Sequence, residues 1–229
     1  MALPLNVSRP SFDEASPRTE TILEPRREIA RLALLHDEAQ ETALLANLLG
    51  RAPYAAAAIA VAALAVAVFA YGTMPAPELS VWLVLTLMGA AAMGRRYLRA
   101  SDHPFERGIL REFAYDLNAI AIYAGFAWGA GAMLAIGPHT TPLALAAYAA
   151  VVPALVAVIL RTREISLGFL APAATLCAFA AVLRPLPEGP LAAAFVLIAC
   201  AAVGGAIFWT ERLFGPKPPA MALADIPAV

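Results

Sequence analysis

Charge is what this chain has least of. Only 14% of its 229 residues are Asp, Glu, Lys or Arg, against about 25% in an ordinary soluble domain. Hydrophobic residues make up 61%. A water-soluble fold of this length leaves much of its surface exposed and has nowhere to hide so much apolar area. A bilayer removes that requirement. Net charge is −1, so no nucleic-acid partner is expected.

Cysteine and histidine are scarce as well. Cys177 and Cys200 are the two cysteines, and both fall inside apolar stretches. Two are too few for the disulfide framework of a small secreted domain. Neither has a His or Cys neighbour at metal-ligand spacing, so both read as buried, inert thiols. His36, His103 and His139 are scattered outside the apolar stretches, whereas a transmembrane haem needs histidines within them. No metal and no cofactor are expected. An enzyme needs a nucleophile, base or metal cluster in a pocket. None is found, so no catalytic residue is assigned and the chain is read as non-enzymatic.

What fills the sequence instead is a series of apolar runs. Six follow one another: Ala52–Tyr71, Pro75–Gly94, Leu117–Ile136, Thr141–Leu160, Ile165–Leu183 and Pro190–Thr210. Each is close to the roughly 20 residues a helix needs to cross about 30 Å of hydrocarbon. Helix is the form that satisfies every backbone N–H and C=O within one segment. Abundant Ala and Leu agree with that choice. The first run starts only at Ala52, too far in for a secretory signal.

The positive charges sort by loop. The segment before the first run holds Arg9, Arg18, Arg26, Arg27, Arg31 and Arg51. The connection after the second holds Arg95, Arg96, Arg99, Arg107 and Arg111. Arg161 and Arg163 follow the fourth run, and Arg212 and Lys217 follow the sixth. The other side collects only Arg184. By the positive-inside rule the rich side is cytoplasmic. The expectation is an all-α fold: a six-transmembrane-helix bundle with both termini cytoplasmic, in a bacterial inner membrane, with lipid as its first partner.

Four regions are expected. Residues 1–19 read as a disordered leader rich in Pro and Ser. Residues 20–50 read as an amphipathic cytoplasmic helix, with Thr21 and Glu24 at capping-box spacing and Pro25 in the first turn. Its apolar stripe runs through Ile29, Leu32, Leu35 and Ala39, and it suits either the membrane surface or a partner helix. That partner is a second copy or another membrane protein. Residues 51–213 form the membrane domain, and 214–229 a flexible tail. Between the second and third runs, Asp102 suits a helix cap, and Phe105, Ile109 and Phe113 line one face behind it. A short interfacial helix, or an extension of the third span, is expected there.

The third run is the most distinctive. Gly125 and Gly129 have the G-x-x-x-G spacing that permits close helix contact. Trp128 falls deep in the run, whereas Trp82 and Trp209 lie near run ends, where tryptophan prefers to be. Asn118, Tyr123, Trp128 and Tyr148 are polar-tipped residues within or at the mouth of the spans. They are read as lining a small cavity or as packing between helices. Asp116 and Asn118 are expected to cap the third helix. Pro153 and Pro172 are expected to kink the fourth and fifth spans.

Three segments together resemble a known group. Glu38–Gly50 reads EAQETALLANLLG, residues 94–100 read GRRYLRA, and Gly125-Phe126-Ala127-Trp128-Gly129 is similar to a recurrent G-x-x-W-G. These resemble the membrane-associated sensor (MASE-like) regions of bacterial diguanylate cyclases, phosphodiesterases and sensor kinases, over about residues 38–213. The resemblance implies a sensory membrane domain. No GGDEF, EAL or kinase sequence follows Thr210, so this chain would act through a partner. The expected role is a sensor-type or anchoring protein. The alternatives are an accessory subunit of a larger membrane complex and a small-molecule transporter. The last is disfavoured because no ionisable residue lies deep in any span.

Overall fold

A computed structural model describes residues 17–72, 74–104, 106–135, 141–183 and 189–214. Six helices carry them: α1 Pro17–Ala70, α2 Ala76–Ser101, α3 Arg107–Ala135, α4 Pro142–Leu160, α5 Arg163–Leu183 and α6 Gly189–Phe214. No strand occurs among the described residues; an isolated bridge joins Tyr71 to Met74. All six helices are long and apolar enough to cross a bilayer. Most of the expected leader, most of the expected tail and His139 lie outside the described residues.

Several expected boundaries move. α1 begins at Pro17, so Thr21 lies inside it rather than capping it. The joint expected at Gly50 and Arg51 is also helix interior. One glycine costs a helix only about 1 kcal/mol, and Leu48, Leu49 and Ala52 around it are anchored in buried packing. The connection after the second span shortens in the same way. Asp102 is the C-cap of α2, its N–H bonded to Ala100 O, and not the start of the next helix. α3 takes in residues 107–135 without a break. Asp116 and Asn118 are therefore interior to α3 and cap nothing. The stretch is an extension of the third span, one of the two expected forms, and its Leu110 and Phe113 are 0% and 3% exposed.

The described residues divide into two units, one up to residue 43 and one from residue 44 on. In the first, Leu32 and Leu35 of the expected partner stripe are 61% and 53% exposed, and Ala39 is exposed too. Leu34, off that stripe, is equally exposed. The side chain of Ile29 lies outside the described residues.

The second unit is built around α3, whose most extensive contact is with α5. Contacts set the helix directions. Arg96 meets Asp116 while Trp82 meets Ala127, so α2 and α3 are antiparallel. Gly125 meets Phe169 and Gly129 meets Leu176, so α3 and α5 are parallel. Arg163, at the start of α5, meets Phe208, late in α6. Arg95, Arg96, Arg99, Arg107, Arg111, Arg161 and Arg163 thus share one end of the bundle.

Both span prolines are accommodated. Pro153 lies inside α4 and leaves the Ala149 carbonyl without its helical donor. The Cys200 thiol of α6 takes that place, with Sγ 3.8 Å from Ala149 O. Pro172, inside α5, turns its ring toward Gly125 of α3. At the start of α4, Thr141 accepts from Ala144 N at 3.2 Å and Pro142 follows in the first turn.

The outside of the unit is apolar. Val61, Val84, Val151, Val158, Val182 and Ile198 are all more than half exposed. A soluble monomer rarely carries such a continuous apolar surface. With the helix lengths, this supports a multi-pass membrane protein.

A Cβ built on Gly129 would lie 2.8 Å from Leu176 Cβ, and one on Gly125 would run into the Phe169 carbonyl oxygen and the Pro172 ring. Gly205 has nothing within 4 Å of its Cβ position. Gly125→Ala is therefore expected to cost about 1–3 kcal/mol by overpacking, while Gly205→Ala costs nothing. Thermal melts of the detergent-solubilised protein followed by circular dichroism measure both. Equal midpoints would contradict the close approach of α3 to α5.

Candidate functional site

A cluster of aromatic side chains with polar tips lies among α2, α3 and α4. Trp128 of α3 and Tyr148 of α4 are stacked, with centroids 4.8 Å apart and planes 12° apart. They also exchange hydrogen bonds with each other's backbone. Trp128 Nε1 donates to Tyr148 O at 3.0 Å, and Tyr148 Oη donates to Trp128 O at 2.6 Å. Trp82 of α2 leans on the other side of Trp128, with centroids 6.0 Å apart and planes 54° apart. Its Nε1 donates to Ala127 O at 3.0 Å. Tyr123 Oη donates to Leu85 O at 3.1 Å. Within the same stretch of α2, Thr86 Oγ1 returns to Trp82 O at 3.0 Å.

Each of these polar tips thus ends on a backbone carbonyl. An N–H or O–H in an apolar medium needs an acceptor, and the helix carbonyls have a second lone pair to give. Two consecutive carbonyls of α3, at Ala127 and Trp128, receive donors from α2 and α4. Gly131 makes that possible. A Cβ on Gly131 would strike both Tyr148 Oη and Trp82 Nε1. The glycine leaves the two carbonyls one turn back open from the side.

The sequence pattern grouped Trp128 and Tyr148 with Asn118 and Tyr123, and did not place Trp82 or Gly131 with them. Trp82 sits in the second turn of α2, where an interfacial role was expected; it is 3% exposed, inside the bundle. The signal for Gly131 was present in the run Gly129-Ala130-Gly131, beside a deep tryptophan. Tyr123 bonds a different carbonyl, on the α2 side. Asn118 stands ten residues before Trp128, about 15 Å along the helix. It faces Gly168 of α5: a Cβ there would lie 2.8 Å from Asn118 Oδ1. Asn118 and Trp128 therefore do not share one site. Gly125 and Gly129 both face α5.

Asp116, next to Asn118, pairs with Arg96 at 3.0 Å. Both side chains are partly exposed, at 24% and 38%, and such pairs contribute little, about 0–1 kcal/mol. His103 Nδ1 lies 3.3 Å from Glu106 Oε1 in the same connection. Both cysteines are free and buried. No group of three His, Cys, Asp or Glu side chains suited to a metal occurs among the described residues. The aromatic cluster has donors and ring faces but no carboxylate, imidazole or amine. What it does physically is tie α2, α3 and α4 together.

Comparison with family models, with curated proteins and with solved structures gives no match.

Tyr148→Phe keeps the stack and removes one interhelical hydrogen bond, an expected loss of about 0.6–1.7 kcal/mol. Gly131→Ala is expected to cost more, because it displaces two bonds and the Trp82 ring. In a Trp209→Phe background, only the two buried indoles and no exposed one report, since Trp209 is 61% exposed. Gly131→Ala should then shift emission to longer wavelength, and Tyr148→Phe should not.

Proposed function

We propose that this chain is a non-enzymatic multi-pass protein of a bacterial inner membrane that senses or anchors through a partner. In this reading both termini are cytoplasmic. The arginines gathered at one end of the bundle support that orientation by the positive-inside rule. The observation that carries the reading is the exposure of the leucines before residue 44. One unbroken helix includes the stretch before residue 44, with Leu32, Leu34 and Leu35 exposed, and the first apolar span. Helices in water draw most of their stability from packing an apolar face. Exposed leucines on such a stretch call for a partner. The resemblance of Glu38–Gly50 and of Gly125–Gly129 to membrane sensor regions points the same way.

The test is recovery of the full-length chain from its own cells in mild detergent. The proposal expects a co-purifying membrane or signalling protein, or a dimer, lost on Leu32→Glu with Leu35→Glu. A monomer without a partner, unchanged by those substitutions, would count against it. Reporter fusions should place Gly72 on the far side of the membrane from Arg96.

A second reading, an accessory subunit of a larger membrane complex, has one observation in its favour. Gly205 lies on an exposed stretch of α6 beside Ala201 and Ala202, with open space where its Cβ would be. Small residues of this kind allow another span to approach closely. Gly205→Leu would release the chain from such a complex while leaving its own melting point unchanged.

A further inference from the structure

Two helices of the bundle start with a threonine, and the two starts differ. Thr141, at the start of α4, accepts from Ala144 N and closes its own first turn. Thr162, just before α5, does not. Its Oγ1 is buried and without a hydrogen-bond partner. The same is true of Ser166 Oγ, one turn into α5, on a residue that is 0% exposed. Thr162 and Ser166 are four residues apart, on one face of the helix. A helical Cα–Cβ bond tilts toward the N-terminus, so the Ser166 side chain is directed back over the turn that Thr162 opens. Two buried hydroxyls therefore lie on one face of this helix start, each without a hydrogen-bond partner.

The electrostatics are unmet as well. The first amides of a helix lack intrahelical acceptors and form its positive pole. Only Ser166 N is engaged in this turn, by Thr162 O. Arg163 adds a cation to that pole, its guanidinium held 4.8 Å over the exposed Phe208 ring. Arg161 precedes it as the C-cap of α4. Glu164 is the acidic residue of the turn, but two positions from Thr162 and Ser166 it falls on the opposite side of the helix. A cation at the positive pole, beside two idle hydroxyl donors, lacks an anion.

The geometry points to a phosphate-binding site at the N-terminus of α5, formed by its first-turn amides, the hydroxyls of Thr162 and Ser166, and the Arg163 guanidinium. Helix starts are well suited to phosphate, and charge-assisted bonds in a covered setting are the strong ones. The hydroxyls are buried and Arg163 is exposed, so binding requires the cover over Thr162 and Ser166 to open. The ligand class is a phosphate group, carried either by an anionic lipid headgroup or by a soluble ion or ester. This site does not depend on the sensor or the accessory reading.

The test uses the purified full chain. One arm adds inorganic phosphate to protein in a neutral detergent. The other compares phosphatidylcholine nanodiscs with and without phosphatidylglycerol. A rise in melting temperature in the first arm identifies a soluble phosphate; a rise confined to the second identifies the headgroup. Ser166→Ala is the decisive variant. It deletes a hydroxyl that bonds nothing in the unliganded protein, so the unliganded melting temperature should hold or rise. Apparent affinity should fall about tenfold, as for loss of one hydrogen bond to a charged group. Thr162→Ala should act alike, and Arg163→Gln should weaken binding and its salt dependence. No melting shift with either probe overturns the site. So does binding that Ser166→Ala and Thr162→Ala both leave unchanged, because surface arginines alone would then hold the anion.

Discussion

The approach of α3 to α5 is the constraint from which the rest of the bundle follows. Gly125 and Gly129 let the backbone of α3 rest against Phe169, Ala173 and Leu176. Where the outside of a bundle is as apolar as its inside, water does not press the helices together. Close packing and interhelical hydrogen bonds must hold them instead. That contact leaves the other faces of α3 for α2 and α4, and so makes α3 the central strut.

Polar atoms are handled consistently at that strut. Trp82, Trp128 and Tyr148 each carry one polar atom into the bundle and Tyr123 carries one along its exposed side, and each places it on a neighbouring helix's carbonyl. Cys200 does the same for the carbonyl that Pro153 leaves open. The arrangement gives α3 and α4, which otherwise touch little, a two-way hydrogen-bonded and stacked link. The exceptions stand at the arginine-rich end, where Asn118 Oδ1, Thr162 Oγ1 and Ser166 Oγ are buried without partners. Polar groups in a bilayer protein are costly unless used, so these atoms are where a ligand has most to offer.

Much of the architecture was legible in the residues themselves. Apolar runs of helix length mark where the six helices lie, because their cores tolerate almost no charge. Boundaries were less legible. Asp102, Asp116, Thr21 and Gly50 all carry sequence signals for helix ends, and three of them fall inside helices. Cap and breaker signals are worth about 1 kcal/mol each, and packing at Leu48, Leu49, Leu110 and Phe113 outweighs them. The aromatic site was half legible. Trp128 stood out by depth, but Trp82 sat where an interfacial tryptophan belongs, and no local pattern says that it turns inward.

The sequence by itself determined that this is an all-helical chain with six segments long and apolar enough to cross a membrane. Length and hydrophobicity are sums over neighbouring residues, and need no knowledge of what lies across the bundle. Tertiary structure alone decided that Gly131 opens two carbonyls to Trp82 and Tyr148, that Asn118 faces Gly168 rather than Trp128, and that Thr162 and Ser166 are left without partners. Those are relations between residues tens of positions apart, and they depend on helix rotation and register. Spacing within one helix sets neither.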